Sequence, residues 1–300
     1  MKEMFNKKKT VNLISIIFAA LLSFSANAAG TLDKIAQTGT INIGFDLTWP
    51  FAYFDNKNKA IGYTVEICEK IADAVRRELK RPDIVIKYKT LKTSDRLPAV
   101  ISGDIDLECG STTNNANRRK EVAFAIPTFI AEVRMLVHKD SSVKSIMDLA
   151  GKRVVVNKGS TSEDIVNDLN KRISLRATPA YAPTIPESFA MFASGKADAF
   201  ILDDILLYGQ RSTAKNPGDM VITKNPLSLE VIAIMMRKND PELKKLVDTE
   251  LVRIIMDGEI NTIYKKWFQS PIPPNNMSLN YPMSRMLRES FKAPTDWAPD

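Results

Sequence analysis

Glu108-Cys109-Gly110-Ser111-Thr112-Thr113-Asn114-Asn115-Ala116-Asn117-Arg118 follows directly on Asp104-Ile105-Asp106-Leu107. The first four residues of that longer run read as a strand that continues to Cys109. Small hydroxyl residues then cluster at the strand end, with one guanidinium seven residues after Ser111. Hydroxyls and free backbone N–H groups at a strand end, backed by an arginine fork, suit a small carboxylate. Read alone, the same stretch is also a polar loop with a surface arginine, so its meaning depends on its surroundings.

Those surroundings alternate between strand and helix. Upstream, Thr40 to Gly44 reads as a strand, Tyr63 to Leu79 as an amphipathic helix, Ile84 to Leu91 as a strand, and Asp95 to Ser102 as a helix ended by Gly103. This β-α-β-α-β order predicts a mainly parallel sheet with helices on its faces. A second unit follows: a short helix at Lys144 to Leu149, a strand at Arg153 to Asn157, a helix at Ser162 to Lys171, another at Pro186 to Ser194, and a strand at Ala197 to Leu202 running into Asp203-Asp204. Ser160 and Glu163 fit a capping box at the first of those longer helices. Beyond Met236 only helices are expected, with Asp240-Pro241 as N-cap and first helical residue of Glu242 to Met256. The segment from Pro271 onward, rich in Pro and Asn, is expected to wrap the surface.

Extended segments near 129–135 and 228–235 join the two units, which predicts two lobes linked by two crossings. In open α/β sheets ligands sit at the carboxyl ends of strands, and a cleft between two such sheets collects those ends from both sides. Asp46, Ser111 with Thr113, Gly159 to Ser162, and Asp203 all fall at such ends.

Several function classes are disfavoured. The N-terminus carries Lys2, Lys7, Lys8 and Lys9, an apolar run from Val11 to Phe24, and Ala26-Asn27-Ala28. Residues 1–28 therefore read as a cleaved secretory signal peptide and predict a periplasmic protein. The leader carries four lysines and one glutamate of the chain's formal +7, so only a mild basic surplus remains. No basic stripe with interleaved aromatics marks a nucleic-acid partner. The lone His138 cannot build a metal site, and no cofactor is expected. Cys68 lies in register with Val65, Ala72, Val75 and Leu79 on the inward stripe of its helix. Cys68 and Cys109 can close a disulfide in an oxidising compartment or stay two buried thiols, and the disulfide is the expectation.

The chain resembles the periplasmic amino-acid-binding proteins of ABC importers, most nearly the glutamate/aspartate-binding branch. The residues that carry the likeness are Thr31-Leu32-Asp33-Lys34-Ile35-Ala36, the stretch from Glu108 to Asn115, Trp267-Phe268 and Pro271-Ile272-Pro273-Pro274. The resemblance implies a type II clamshell: lobe 1 from 29–131 and 232–300, lobe 2 from 132–231, closing as a monomer on a free amino acid for an inner-membrane ABC permease. It makes Arg118 the partner of the ligand α-carboxylate, with Thr113 and the backbone at Ser111 beside it. Ser160 and Thr161 contact the ligand on closure, and Asp203 holds the α-ammonium. Arg96 falls where the branch reads an acidic side chain. Asp46 and Trp49 look more like the wider family, where an aspartate and an aromatic meet neutral or cationic ligands, and the branch's second-lobe histidine is matched by Ile185. Asp46 can also pair with Arg96 and leave a neutral polar pocket. The competing class is an enzyme on the same fold, a cyclohexadienyl dehydratase-like protein with Glu108 or Asp46 as the acid.

Overall fold

The computed structural model describes residues 30–298, so the expected signal peptide at 1–28 lies outside the described residues. Helix α1 (Thr31–Thr38) leads into strand β1 (Thr40–Phe45), and a small ribbon, β2 (Tyr53–Phe54) with β3 (Ala60–Ile61), precedes the long helix α2 (Tyr63–Leu79). Then come β4 (Val85–Thr90), α3 (Arg96–Ser102), β5 (Leu107–Glu108), the single turn α4 (Ala116–Arg119) and β6 (Val122–Phe124). The inward stripe of α2 is buried from Val65 through Ile71 to Val75, while its charged residues are exposed or half-buried, as a 3.6-residue apolar period requires.

The second half opens with β7 (Phe129–His138), followed by β8 (Arg153–Asn157), α5 (Thr161–Arg172), β9 (Thr178–Ala182), α6 (Ile185–Ala193), β10 (Ala199–Asp203), α7 (Asp204–Ser212), β11 (Met220–Ile222) and β12 (Ser228–Ile232). The chain then returns through β13 (Met235–Arg237) to α8 (Pro241–Met256), α9 (Glu259–Tyr264), a π-helical turn at Lys265–Gln269 and α10 (Arg285–Lys292).

Two sheets result. The first has the order β4-β1-β5-β13-β6, the second β11-β7-β10-β8-β9 with β12 also on β7. Both are mixed rather than mainly parallel. Parallel pairing is confined to β1 with β4 and β5, and to β8 with β9 and β10. The segments read only as connections supply the antiparallel strands: β7 pairs with β10, β11 and β12, and β13 pairs with β5 and β6. A strand entering a sheet straight from a crossing, without an intervening helix, runs antiparallel to its neighbour.

Where the chain crosses between the sheets, Phe51, Tyr63, Phe129, Tyr264 and Phe268 pack ring on ring at centroid distances of 4.5 to 6.2 Å. Tyr63 also donates its hydroxyl to the Thr128 carbonyl at 2.7 Å. Cys68, on the buried face of α2, is joined by a disulfide to Cys109 just past β5, with Cα atoms 6.5 Å apart.

The C-terminal segment is more structured than its composition suggests. Ser284 caps α10 through the Leu287 N–H, and Leu287 and Phe291, one turn apart, are buried. Upstream, Trp49 Nε1 and the Tyr53 hydroxyl both donate to the Pro273 carbonyl at 3.0 and 2.7 Å, and Tyr281 donates to Asp204 Oδ2 at 2.8 Å. This segment therefore touches the first sheet's loops and the start of α7 in the second.

Candidate functional site

The carboxyl ends of the parallel strands meet across one gap. Asp46 follows β1, Gly110 and Ser111 lie just past β5, Asn157 ends β8 and Asp203 ends β10. Asp46, Ser111, Asn157 and Asp203, together with Thr93, Arg96, Thr113, Arg118, Ser160, Thr161 and Ser162, line a tight cavity of about 30 Å³, with Ile185, Leu202 and Leu206 as its apolar wall.

Arg118 is aimed by its own turn. The Asn115 side chain accepts the Arg118 N–H at 2.9 Å, starting α4 so that the guanidinium projects into the gap. There Nη1 donates to the Thr113 carbonyl at 2.9 Å and Nη2 crosses to the Gly159 carbonyl, beyond β8, at 3.1 Å. Gly159 has φ +78°, and a Cβ there would lie 3.0 Å from the Ser94 Cα on the opposite side. Both the left-handed backbone and the close approach require glycine. The cleft is thus shut. Burial, and the second positive charge of Arg96, push the Arg118 guanidinium down to about 10, so it remains charged at neutral pH.

Arg96 is buried, not a solvated residue of the first helical turn. Its Nη1 lies 3.5 Å from Asp46 Oδ2, which also accepts the Thr93 hydroxyl at 3.0 Å. Arg96 and Asp46 are thus adjacent charges on one wall.

On the other side, Ser160 caps α5 by accepting the Glu163 N–H at 3.2 Å, while the Glu163 carboxylate accepts the N–H of Gly159, one residue before the cap, at 2.7 Å. Capping therefore occupies the Ser160 oxygen without removing it from the cavity wall. Asp203 takes the N-cap position of α7 but makes no side-chain capping bond. Asp204, the first residue of α7, accepts the N–H groups of Ile205 and Glu132 and the Tyr281 hydroxyl. Burial, with Glu230 and Asp204 nearby, holds the Asp203 carboxyl well above the ordinary carboxylate range. An incoming cation would reverse that.

Two guanidinium groups, one already beside Asp46, and the buried Asp203 carboxyl around a small cavity form a receptor for a zwitterion. The model of the bacterial extracellular solute-binding proteins, family 3, matches residues 41–270. This chain belongs to that family. Similar proteins include the L-glutamate/L-aspartate-binding protein of Pseudomonas aeruginosa, 41% identical over 95% of this chain and 96% of that protein. The glutamate/aspartate import solute-binding protein of Escherichia coli K12 is 37% identical over 97% and 98%. Among solved structures, an ancestral arginine-binding protein bound to arginine superposes with a TM-score of 0.69 at 29% identity, covering 77% of this chain and 98% of that one. The two sheets joined by two crossings are the type II binding-protein architecture.

In this solute-binding protein, eight of the nine side chains singled out from sequence line the one cavity: Asp46, Arg96, Ser111, Thr113, Arg118, Ser160, Thr161 and Asp203. Trp49 does not. Its indole is tied to Pro273 and packs against Gly209 of α7, where a Cβ would meet the ring at 2.8 Å. Sequence reading passed over Asn157, whose carboxamide is buried on the cavity wall with neither polar atom hydrogen-bonded among the described residues. Its place at the end of β8 was the available signal. Thr93, Leu202 and Leu206 were also passed over, while Ile185, matched in sequence to the branch's second-lobe histidine, does line the cavity.

Proposed function

We propose that this chain is the periplasmic substrate-binding component of an ABC importer, binds free glutamate or aspartate between its lobes, and delivers it to an inner-membrane permease as a monomer. It is a receptor and not an enzyme. Lobe 1 comprises 29–131 and 232–300, lobe 2 comprises 132–231. The observation that carries the reading is the convergence of two buried arginines and Asp203 on one cavity. An acidic amino acid has two carboxylates and one ammonium, and the cavity offers two guanidinium groups and two carboxylates, of which Asp46 is already engaged with Arg96 and Asp203 is left to face the ammonium. Arg118, with Thr113 and the Ser111 backbone, takes the α-carboxylate; Asp203 takes the α-ammonium; Arg96 takes the side chain; and Ser160 and Thr161 close over it. The names of the relatives support the same class of ligand.

A second reading follows from the Arg96–Asp46 contact, because a donor beside an acceptor also matches the carboxamide of glutamine or asparagine. A thermal-shift screen of the common amino acids on ligand-stripped protein separates the two. A ligand at one hundred times its Kd stabilises by about 2.7 kcal/mol, and glutamate or aspartate should give the largest shifts. Larger shifts with the amides would establish the second reading, and no shift with any amino acid would overturn both.

A further inference from the structure

Glu108 is the one cavity-side carboxyl with no role above. It is fully buried at the end of β5, and neither of its oxygens makes a well-formed hydrogen bond among the described residues, the Thr112 hydroxyl being a neighbouring donor that favours its charged form. Asp46, beyond the end of the adjacent strand β1, uses Oδ2 on Thr93 and Arg96 and leaves Oδ1 equally without a donor. The two orphaned oxygens flank the same point: a Cβ on Gly110 would lie 2.4 Å from Glu108 Oε1 and 3.0 Å from Asp46 Oδ1. This explains the glycine in the motif, since any side chain would occupy the space the carboxyls share. Two ionised carboxyls do not share such a space, whereas one proton between them gives both orphans a partner.

We propose that Glu108 is protonated around neutral pH, donates its hydrogen to Asp46 Oδ1, and thereby acts as a specificity-determining residue that fits the cavity to an acidic side chain. The proposal rests on Arg96 as the seat of that side chain. The charged groups facing Glu108 are Arg96, on α3, and Arg118, on α4, which favour its ionisation, and Asp46, which opposes it. Burial is the largest influence and pushes the carboxyl up to about 7. While Glu108 is neutral, Arg96 faces one negative neighbour. Once it ionises, Arg96 faces two, and an anionic ligand is repelled. Binding an acidic amino acid therefore favours the protonated form, and affinity falls as pH rises past neutrality, by at most about tenfold per pH unit for one linked proton.

The test is calorimetric titration of L-glutamate into wild type and Glu108→Gln between about pH 6 and about pH 8.5. The carboxamide can donate to Asp46 but cannot titrate. The wild-type Kd should rise by about tenfold or more across that range while the variant keeps its low-pH affinity throughout. Parallel profiles in the two proteins, or a flat wild-type profile, overturn the proposal. Infrared difference spectroscopy of ligand-free protein decides the proton separately from the ligand. Wild type should show a protonated-carboxyl component that Glu108→Gln lacks, over and above any from the raised Asp203 carboxyl, and that component should be lost on raising the pH. Its absence at about pH 6 overturns the proposal even if glutamate binds, and its presence in a protein that ignores glutamate overturns the link to ligand choice and the glutamate reading together. Should the variant not fold, the wild-type band and the wild-type glutamate affinity must titrate with one midpoint, and separate midpoints overturn the link.

Discussion

Replacing Asp46 by asparagine should shift ligand preference toward acidic amino acids. Asp46 Oδ2 lies 3.5 Å from Arg96 Nη1, so a ligand carboxylate seated on the same guanidinium comes to about 5 Å from the Asp46 carboxyl. At an effective dielectric near 20, two like charges at about 5 Å repel by about 3 kcal/mol. Sharing of Arg96 and residual water reduce this, so an advantage of about 1 to 3 kcal/mol is expected for glutamate over glutamine. That is a change of about 5- to 150-fold in the ratio of their dissociation constants. Asparagine preserves the shape and still accepts from Thr93. The measurement belongs at about pH 6 or below, because loss of the Asp46 charge favours ionisation of Glu108 and a low pH keeps that carboxyl neutral in both proteins. Calorimetric Kd values for both ligands on both proteins give the ratio. A ratio unchanged within about threefold means that residue 46 does not sense the ligand side chain.

Arg118→Ala and Asp203→Ala should each weaken binding of any α-amino acid by more than about a hundredfold, since each leaves a ligand charge unpaired in a buried site; calorimetry with a far-ultraviolet circular dichroism check reads this, and affinity within about threefold of wild type would remove the residue from the site. Reducing the Cys68–Cys109 disulfide, which closes a loop with a sequence separation of 41, should lower the unfolding free energy by about 4 kcal/mol, measured by urea titration with and without reductant; a change under about 1 kcal/mol would contradict it. Finally, the fold holds the Glu108 proton up to about pH 7 whereas an unfolded glutamate releases it near 4.3. The native chain therefore binds more protons across that window and loses stability as pH rises through it. Wild type should lose on the order of 3 kcal/mol relative to Glu108→Gln between about pH 5 and about pH 8, and equal losses in urea titrations of the two proteins would refute the assignment.

The parallel half of each sheet was legible because buried parallel strands are continuous apolar runs separated by amphipathic helices. That order placed Asp46, Ser111 and Asp203 at strand ends before any coordinates. Strands β7, β12 and β13 were less legible, because a crossing segment takes its pairing partners from residues distant in the chain, and the alternation in burial along β7 stops at Met135. Arg96 illustrates the limit of propensity. In the first turn of an exposed helix it would be solvated, and what buries it is Asp46 from a strand 50 residues earlier in the chain. Trp49 failed for the opposite reason: the partners that take it away from the ligand are Pro273 and Gly209, both remote in sequence. Nothing in the sequence marked Gly110 itself, and the space it leaves is filled by two carboxyls.

The disulfide also bears on the rates of capture and release. Cys109 is held to α2 by the Cys68 bond and by its carbonyl accepting the Thr64 hydroxyl at 2.7 Å, so Gly110, Ser111 and Thr113 are anchored whether or not the cleft is shut. An incoming solute meets that half already formed, which makes the association rate a property of the first sheet. The contacts that depend on closure are Arg118 to Gly159, Gly159 against Ser94, and Trp49 against Gly209. Loosening any of them should shorten residence time while leaving the speed of first encounter unchanged, because most affinity differences among variants of one site appear in dissociation. For a receptor that must release its cargo at a membrane, the anchored half fixes how fast solute is collected and the meeting edges of the lobes fix how long it is kept.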